Sequence, residues 1–169
     1  MSSDLAPSAA VCLDLLRSSG GTLATAESLT AGMICATLAG VAGASDVLRG
    51  GVAAYATDVK TSLLGVDPQL VARHGVISAE CAEAMAVRAR ALLGATWALS
   101  ATGVAGPTRQ EDKPVGMVFV AAAGPDVVVV RQLALSGSRD EVRVGSVTAA
   151  LDLLANTLTQ SGDIRPHGT

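Results

Sequence analysis

Two polar residues in this sequence could carry covalent chemistry, and the first is a serine. Ser28 follows a short apolar segment, Thr22–Ala26, that predicts a strand, and it precedes small residues with helical spacing that extend to Leu38. A serine in a strand-to-helix turn lies where backbone amides and the helix dipole can stabilise an oxyanion or bind a phosphate. The same position also suits a serine that only caps the helix. The pattern leaves both interpretations open.

A nucleophilic serine needs a base, and the choice of bases is small. His74 stands beside a helix-ending glycine and His167 lies near the C-terminus, so the sequence disfavours a Ser-His-Asp triad. Lysine can serve instead, because burial lowers its pKa towards neutrality, whereas arginine keeps its proton. Ten of the twelve basic residues are arginine, and only Lys60 and Lys113 are lysine. Lys60 is therefore the candidate base, with an exposed helical lysine as the alternative.

Three further features could complete a ligand site. Tyr55 ends the next predicted strand and could orient the Ser-Lys pair or the substrate, or could simply stand at the sheet margin. The segment Ala101–Pro107 offers a hydroxyl and a flexible backbone at a strand end, where α/β proteins commonly bind ligands, although a simple turn would look the same. Arg139 and Arg143 are four residues apart, so they share a helix face and could clamp a phosphate or remain solvated.

Other kinds of site lack the residues that they need. Four acidic residues of the C-terminal half show no metal-ligand spacing, so no metal is expected: Asp126, Asp140, Glu141 and Asp152. Neither the GxxxxGK(S/T) pattern of P-loops nor the GxGxxG dinucleotide fingerprint is present. We therefore expect no cofactor.

Composition and charge narrow the functional class. The formal net charge is -3 at pH 7 without a basic cluster, which argues against a nucleic-acid partner. No apolar run is long enough to span a bilayer, and Met1–Gly20 lacks the pattern of a signal peptide, so we expect no membrane partner and a cytoplasmic location. The widely spaced Cys12, Cys35 and Cys81 predict buried free thiols. An Ala- and Val-rich surface would suit a homo-oligomer.

The elements that position these residues follow from hydrophobic periodicity. Helices are predicted over residues 5–16, a stretch ending at 38, 57–65, 68–73, 79–93 and 139–158, and strands over 22–26, 47–55, 96–102, 116–122 and 127–135. Ser138 and Glu141 form a capping box before the last helix. This order predicts an α/β fold, a three-layer α/β/α sandwich with a mixed, about five-stranded sheet. Residues 1–169 are expected to form one domain, with a core at 5–158 and a flexible tail at 159–169.

Several motifs together resemble one known family. They are Ala24–Gly32, Tyr55–Lys60 with Leu64–Val66, His74–Ser78, Thr102–Pro107 and Lys113–Gly116. In this order they resemble the CinA C-terminal domain family, and the resemblance covers about residues 5–158. Members of that family include stand-alone nicotinamide-nucleotide amidases, which convert nicotinamide mononucleotide to nicotinate mononucleotide and ammonia. The resemblance implies the same small-molecule substrate and no cofactor for this chain.

The resemblance also implies roles for individual residues. Ser28 matches the family's nucleophile and Lys60 its base, and Tyr55 joins them as the third catalytic residue. The implied substrate-binding residues are Glu27, Thr30, Gly32, Thr102, Gly103, Gly106, Arg139 and Arg143.

The sequence departs from the family pattern in two places. Leu29 and Ala31 replace a common cysteine and glycine, and residues 108–112 replace a glycine-rich loop. The acidic Glu111 and Asp112 in this loop are expected to weaken phosphate binding or to select another amide. A catalytically silent nucleotide-binding module, or a partner module in competence or DNA repair, is the alternative to an amidase.

Overall fold

Five strands form one mixed sheet within residues 5–160, the part of the chain that the computed structural model describes. The strands are β1 Leu23–Glu27, β2 Leu48–Ala53, β3 Trp97–Gly103, β4 Met117–Ala123 and β5 Val128–Ala134. Their order across the sheet is β2-β1-β3-β4-β5. β1 pairs in parallel with β2 and β3, whereas β3, β4 and β5 pair antiparallel. The predicted mixed five-stranded sheet is confirmed.

The parallel part of the sheet brings three chain segments to one edge. Glu27, the last residue of β1, pairs with Ala53 of β2 on one side and with Ala101 of β3 on the other. Parallel strands end at the same edge of a sheet, so the residues that follow β1, β2 and β3 become neighbours. Ser28, Tyr55 and Thr102 all lie at this edge.

Helices cover both faces of the sheet. Among the described residues they are α1 Ala6–Ser19, α2 Met33–Ala39, α3 Thr57–Ser62, α4 Pro68–His74, α5 Ala79–Leu92 and α6 Arg139–Gln160. Buried side chains of α1, α2 and α6 pack in one apolar cluster, and those of α5 pack in a second cluster on the opposite face. The arrangement is the three-layer α/β/α sandwich that the sequence predicted.

Small side chains let α5 lie close to the sheet. Ala82, Ala86 and Ala89 of α5 are fully buried in the same cluster as Ala24 and Ala98 of the strands. Alanine side chains therefore fill much of the narrow space between α5 and the sheet, and Phe119 is the aromatic residue of this cluster.

The structure corrects several predicted boundaries. α1 extends to Ser19, beyond the predicted end at Leu16, because Gly20 ends the helix with a left-handed φ of 69°. A single turn of 3-10 helix at Ala44–Asp46 was not predicted. α6 continues to Gln160, two residues beyond its predicted end at 158, and residues 161–169 of the predicted tail lie outside the described part of the chain.

The cysteines and helices also bear on the sequence predictions. Cys12, Cys35 and Cys81 are free; the first and last are buried as predicted, whereas Cys35 is only half-buried. No helix within residues 5–160 combines the length and apolar character that crossing a bilayer requires.

Candidate active site

Ser28 lies in the turn that joins the centre of the sheet to α2. Its amide donates a hydrogen bond to Ala101 O at 2.9 Å, which extends the pairing of β1 with β3 by one residue. Its carbonyl accepts from the Ala31 amide at 3.0 Å. These bonds fix the backbone of Ser28 while its side chain, 9% exposed, lines a cavity at the sheet edge.

The N-terminus of α2 is capped from inside the protein by Glu27. The carboxylate is almost fully buried and accepts hydrogen bonds from the amides of Gly32, Ile34 and Cys35 at 2.9–3.0 Å. Thr25 Oγ1 donates to the same carboxylate at 3.2 Å. The negative charge therefore rests on the positive end of a helix and satisfies the amides that a terminal turn leaves open.

This capping changes the interpretation of the serine and of its turn. α2 begins at Met33 with Gly32 as its cap residue, so Ser28 does not cap the helix. The first amides of α2 are occupied by Glu27 and are not free for a ligand. Among residues 5–160, the amides of Leu29 and Thr30 have no hydrogen-bond acceptor. These two amides are the donors that remain in the turn.

Lys60 lies in α3, the helix that follows β2, and its side chain reaches Ser28. Its side chain is 1% exposed, and Nζ lies 3.0 Å from Ser28 Oγ. The same nitrogen donates to Ala54 O at 2.9 Å and to Tyr55 O at 3.3 Å. A neutral amine has two N–H groups and one lone pair, which matches two carbonyl acceptors and one hydroxyl donor. The geometry therefore suits proton transfer from the hydroxyl to the amine.

The surroundings shift the ionisation of this lysine towards its neutral form. Burial is the largest influence and lowers the pKa of Lys60 below the ordinary 10.5, because the charged form loses its hydration. Cys81 and Glu111 oppose this effect and raise the pKa of Lys60. A larger fraction of the amine is neutral near pH 7 than in an exposed lysine, so Lys60 can act as a base.

A cavity of about 400 Å³ opens beside the Ser-Lys pair. Its walls come from five chain segments and one helix start: residues 28–29, 55–57, 76–77, 102–106, 108–110 and Arg139. Among residues 5–160, the charged side chains in this lining are Arg109 and Arg139, and no carboxylate of this part of the chain contributes to it. Such a cavity favours a ligand that carries negative charge.

Arg139 and Tyr55 meet at the mouth of the cavity. Nη2 of Arg139 donates to Tyr55 Oη at 2.6 Å, and Nη1 donates to the Gly106 carbonyl. Both acceptors are neutral, so neither of them offsets the positive charge of the guanidinium. Tyr55 is 55% exposed, and its side chain contacts Arg139, whereas only its backbone carbonyl contacts Lys60.

The structure separates the two arginines that the sequence placed on one helix face. Arg143 lies outside the cavity lining and donates from Nε to Leu29 O at 3.1 Å and from Nη2 to Thr30 O at 3.2 Å. Arg143 therefore supports the carbonyls of the Ser28 turn, residues 28–31, and of these two arginines only Arg139 is placed to contact a ligand.

Some of the remaining predicted site residues line the cavity, and others lie outside it. Thr102, Gly103 and Gly106 line the cavity, and Thr102 Oγ1 donates to Val76 O at 2.6 Å. Gly32 and Glu27 lie outside the lining. Thr30 also lies outside it; its hydroxyl is buried and has no partner among residues 5–160.

Sequence reasoning missed part of the cavity wall. Val76 and Ile77 line it, and so do Arg109 and Gln110 of the loop at 108–112. The segment His74–Ser78 belongs to the motifs of the resemblance, but nothing in its residue types pointed to a wall. The acidic residues of the loop were predicted to weaken phosphate binding or to select another amide, whereas the residues of the loop that line the cavity are Thr108, Arg109 and Gln110.

No metal centre is assembled in the described part of the chain. Within residues 5–160, no three His, Cys, Asp or Glu side chains come together as metal ligands would.

Comparison with known proteins supports the grouping of these motifs. The sequence-family model of the CinA C-terminal domain matches residues 5–158. The chain is 49% identical over 148 residues to a CinA-like protein of Frankia casuarinae and 46% identical over 145 residues to one of Mycolicibacterium gilvum. These matches cover 88% and 85% of this chain but 34% of each relative, so the chain spans about a third of their length.

Solved structures share the fold over nearly the whole chain. The competence/damage inducible protein CihA from Agrobacterium tumefaciens superposes with a TM-score of 0.89 at 31% identity, covering 95% of this chain and 98% of that one. The competence damage-inducible protein A from Klebsiella pneumoniae gives a TM-score of 0.89 at 29% identity, covering 92% and 97%. Family model, relatives and structures agree, and the chain belongs to the CinA C-terminal domain family.

Proposed function

We propose that this chain is an amidase that hydrolyses the carboxamide of nicotinamide mononucleotide to nicotinate mononucleotide and ammonia. The observation that carries the proposal is the 3.0 Å contact between Lys60 Nζ and Ser28 Oγ at the wall of a cationic cavity. A hydroxyl beside a buried, pKa-lowered amine is an activated nucleophile. The identity of the substrate, a nicotinamide nucleotide, is inferred from the resemblance to the CinA C-terminal domain family.

The first half of the reaction forms an acyl-enzyme. Lys60 Nζ accepts the Ser28 proton as Oγ attacks the carboxamide carbon, and the carbonyl electron pair moves to oxygen. The Leu29 and Thr30 amides are the proposed donors to this oxyanion, because they have no other acceptor among residues 5–160. Lys60 then gives its proton to the amide nitrogen, the C–N bond breaks, and ammonia leaves.

The second half releases the acid and restores the pair. A water molecule attacks the ester carbon while Lys60 takes one of its protons, and collapse of the tetrahedral intermediate breaks the bond to Ser28 Oγ. Lys60 returns the proton to Oγ, so the net reaction consumes one water for each ammonia. The first and the last of these proton transfers use the 3.0 Å contact between Ser28 Oγ and Lys60 Nζ, and the two others join the same Nζ to the leaving nitrogen and to water.

The arginine at the cavity mouth gives the proposed site its preference for a nucleotide. Within the described residues 5–160, Arg139 makes hydrogen bonds only to neutral acceptors, so its charge is available to the phosphate of the substrate. The net reaction replaces a neutral carboxamide by a carboxylate at the other end of the ligand.

The test is ammonia release from nicotinamide mononucleotide by the purified protein and by Ser28→Ala. Ser18→Ala is the matched control, because Ser18 is an exposed serine of α1 that bonds only to its own helix. We expect turnover by the wild type and the control and none by Ser28→Ala. A folded wild-type protein that binds the nucleotide without forming product would support the silent binding module instead.

A further inference from the structure

A carboxylate fastens the loop at residues 108–112 to the opposite cavity wall. Glu111 Oε1 accepts from the Val76 amide and Oε2 from the Ile77 amide, each at 3.2 Å. Gly75 leaves room for this contact, because a Cβ there would lie 2.4 Å from Glu111 Oε2. Both amides belong to the wall that faces the Ser28 cavity. The contact therefore joins two walls of the same site.

The backbone of the loop is held in an unfavourable conformation. Glu111 and Asp112 have φ values of 50° and 57°, and neither is a glycine. They are the central residues of a tight turn closed by Gln110 and Lys113, whose backbones exchange hydrogen bonds at 2.8 and 3.3 Å. Left-handed backbone is unfavourable for a residue other than glycine, so surrounding contacts must hold it. The paired amides at the wall supply such a contact for Glu111.

The turn determines which side chains of the loop reach the cavity. Thr108, Arg109 and Gln110 line it, whereas Glu111 and Asp112 do not. Nη2 of Arg109 donates to Asp112 O at 2.6 Å, which ties the arginine to the same turn. Loss of the wall contact would release the segment that carries these three side chains.

The same carboxylate places a negative charge near the proposed base. Glu111 raises the pKa of Lys60, opposite to the effect of burial. The other titratable group that acts on Lys60 is Cys81 of α5, a thiol whose own pKa is raised to about 11 by burial. At neutral pH this thiol is uncharged, so Glu111 supplies the negative charge that Lys60 senses.

We propose that Glu111 is a positioning residue that holds the 108–112 loop against the Val76–Ile77 wall and keeps a fixed negative charge near Lys60. Its kinetic consequences rest on the proposed amidase function, whereas its effect on Lys60 does not. Glu111 of the altered loop then binds the wall, whereas Arg109 faces the cavity.

The test compares Glu111→Gln with Asp112→Asn and Glu111→Asp. Glutamine nearly preserves the size of the side chain but removes its charge, and it faces two amide donors with a single carbonyl oxygen. The Asp112 variant removes a carboxylate next to it that makes no wall contact. The Glu111→Asp variant retains the charge but shortens its reach, so it separates position from charge and covers the case in which Glu111→Gln does not fold.

The kinetic readout is the pH profile of ammonia release with KM and kcat resolved. We expect Glu111→Gln to raise KM about tenfold, as for loss of one charge-assisted hydrogen bond, and to move the acid limb of kcat/KM to lower pH. Glu111→Asp should raise KM with a smaller movement of the limb, and Asp112→Asn should change neither. An unchanged limb and KM in Glu111→Gln would overturn the proposal.

A second readout needs no substrate. The sequence contains only two lysines, so the 13Cε signals of labelled lysine can be assigned with Lys113→Arg and followed during a pH titration. We expect the titration of Lys60 to shift to lower pH in Glu111→Gln and to stay in place in Asp112→Asn. An equal shift in both variants, or none in Glu111→Gln, would refute the role of Glu111. Absence of ammonia release from the wild type would refute only the amidase.

Discussion

Replacing Lys60 by methionine removes the proposed base and keeps an unbranched side chain of similar length. Nζ lies 3.0 Å from Ser28 Oγ, a distance at which a base takes a proton directly. One positioned acid–base group contributes about 10²–10⁴-fold to a rate, or about 3–5 kcal/mol of barrier. We therefore expect kcat/KM for nicotinamide mononucleotide to fall by about 10²–10⁴-fold in Lys60→Met.

The pH profile of activity provides a second, independent test of this prediction. A base must be unprotonated, so activity rises as pH rises through its pKa and falls below it. Because burial lowers the pKa of Lys60, the acid limb of the wild-type profile should lie below the ordinary lysine value of 10.5. Lys60→Met has no such group, and its residual activity should lose this limb.

The assay is steady-state ammonia release across pH, beside thermal unfolding followed by circular dichroism. Lys113→Met is the matched control, because it removes the only other lysine of the sequence, whose hydrogen bonds to Gln110 are made by the backbone. The control should keep the wild-type rate and limb. A folded Lys60→Met protein with more than about a tenth of the wild-type kcat/KM would refute the assignment of the base.

Two further substitutions separate ligand binding from support of the turn. Arg139→Gln should raise KM for nicotinamide mononucleotide about 10- to 100-fold, as expected for loss of a charged hydrogen bond, and leave KM for the phosphate-free riboside unchanged. An equal rise for both substrates would contradict a phosphate contact. Glu27→Gln should lower the free energy of unfolding by about 3 kcal/mol in urea titrations, because its amide group turns donors towards the amides of α2. Glu83→Gln, on the exposed face of α5, is the control and should leave the midpoint in place.

The fold was predictable because each element carries its own periodicity. The capping box of Ser138 and Glu141 forms as predicted, with the Ser138 amide and hydroxyl both donating to the carboxylate at 2.7 Å. Ser78 caps α5 by accepting from the Cys81 amide at 3.1 Å. Such signals lie within a few residues of the structure that they specify, so one segment of sequence suffices to recognise them.

The supporting contacts of the site could not be predicted in this way. Glu27 caps α2 from five to eight residues upstream, outside the usual three-residue spacing of a capping box. Arg143 donates to the carbonyls of the Ser28 turn from more than 110 residues further along the chain. Glu111 contacts the Val76 amide across 35 residues of sequence. No periodicity records a contact between two distant loops, because its partners are set only when the layers pack.

The hydrogen bonds of the Ser28 turn show the combined effect of these distant contacts. The Ser28 amide donates to Ala101, and Arg143 donates to the carbonyls of Leu29 and Thr30. The first amides of α2 donate to the buried Glu27 carboxylate and are therefore not available to bind a ligand. Within residues 5–160, the turn then retains two amides without an acceptor, at Leu29 and Thr30, beside a hydroxyl in contact with a buried amine. Acyl transfer requires a nucleophile, a base and donors for an oxyanion, and these are the groups that the surrounding contacts leave available.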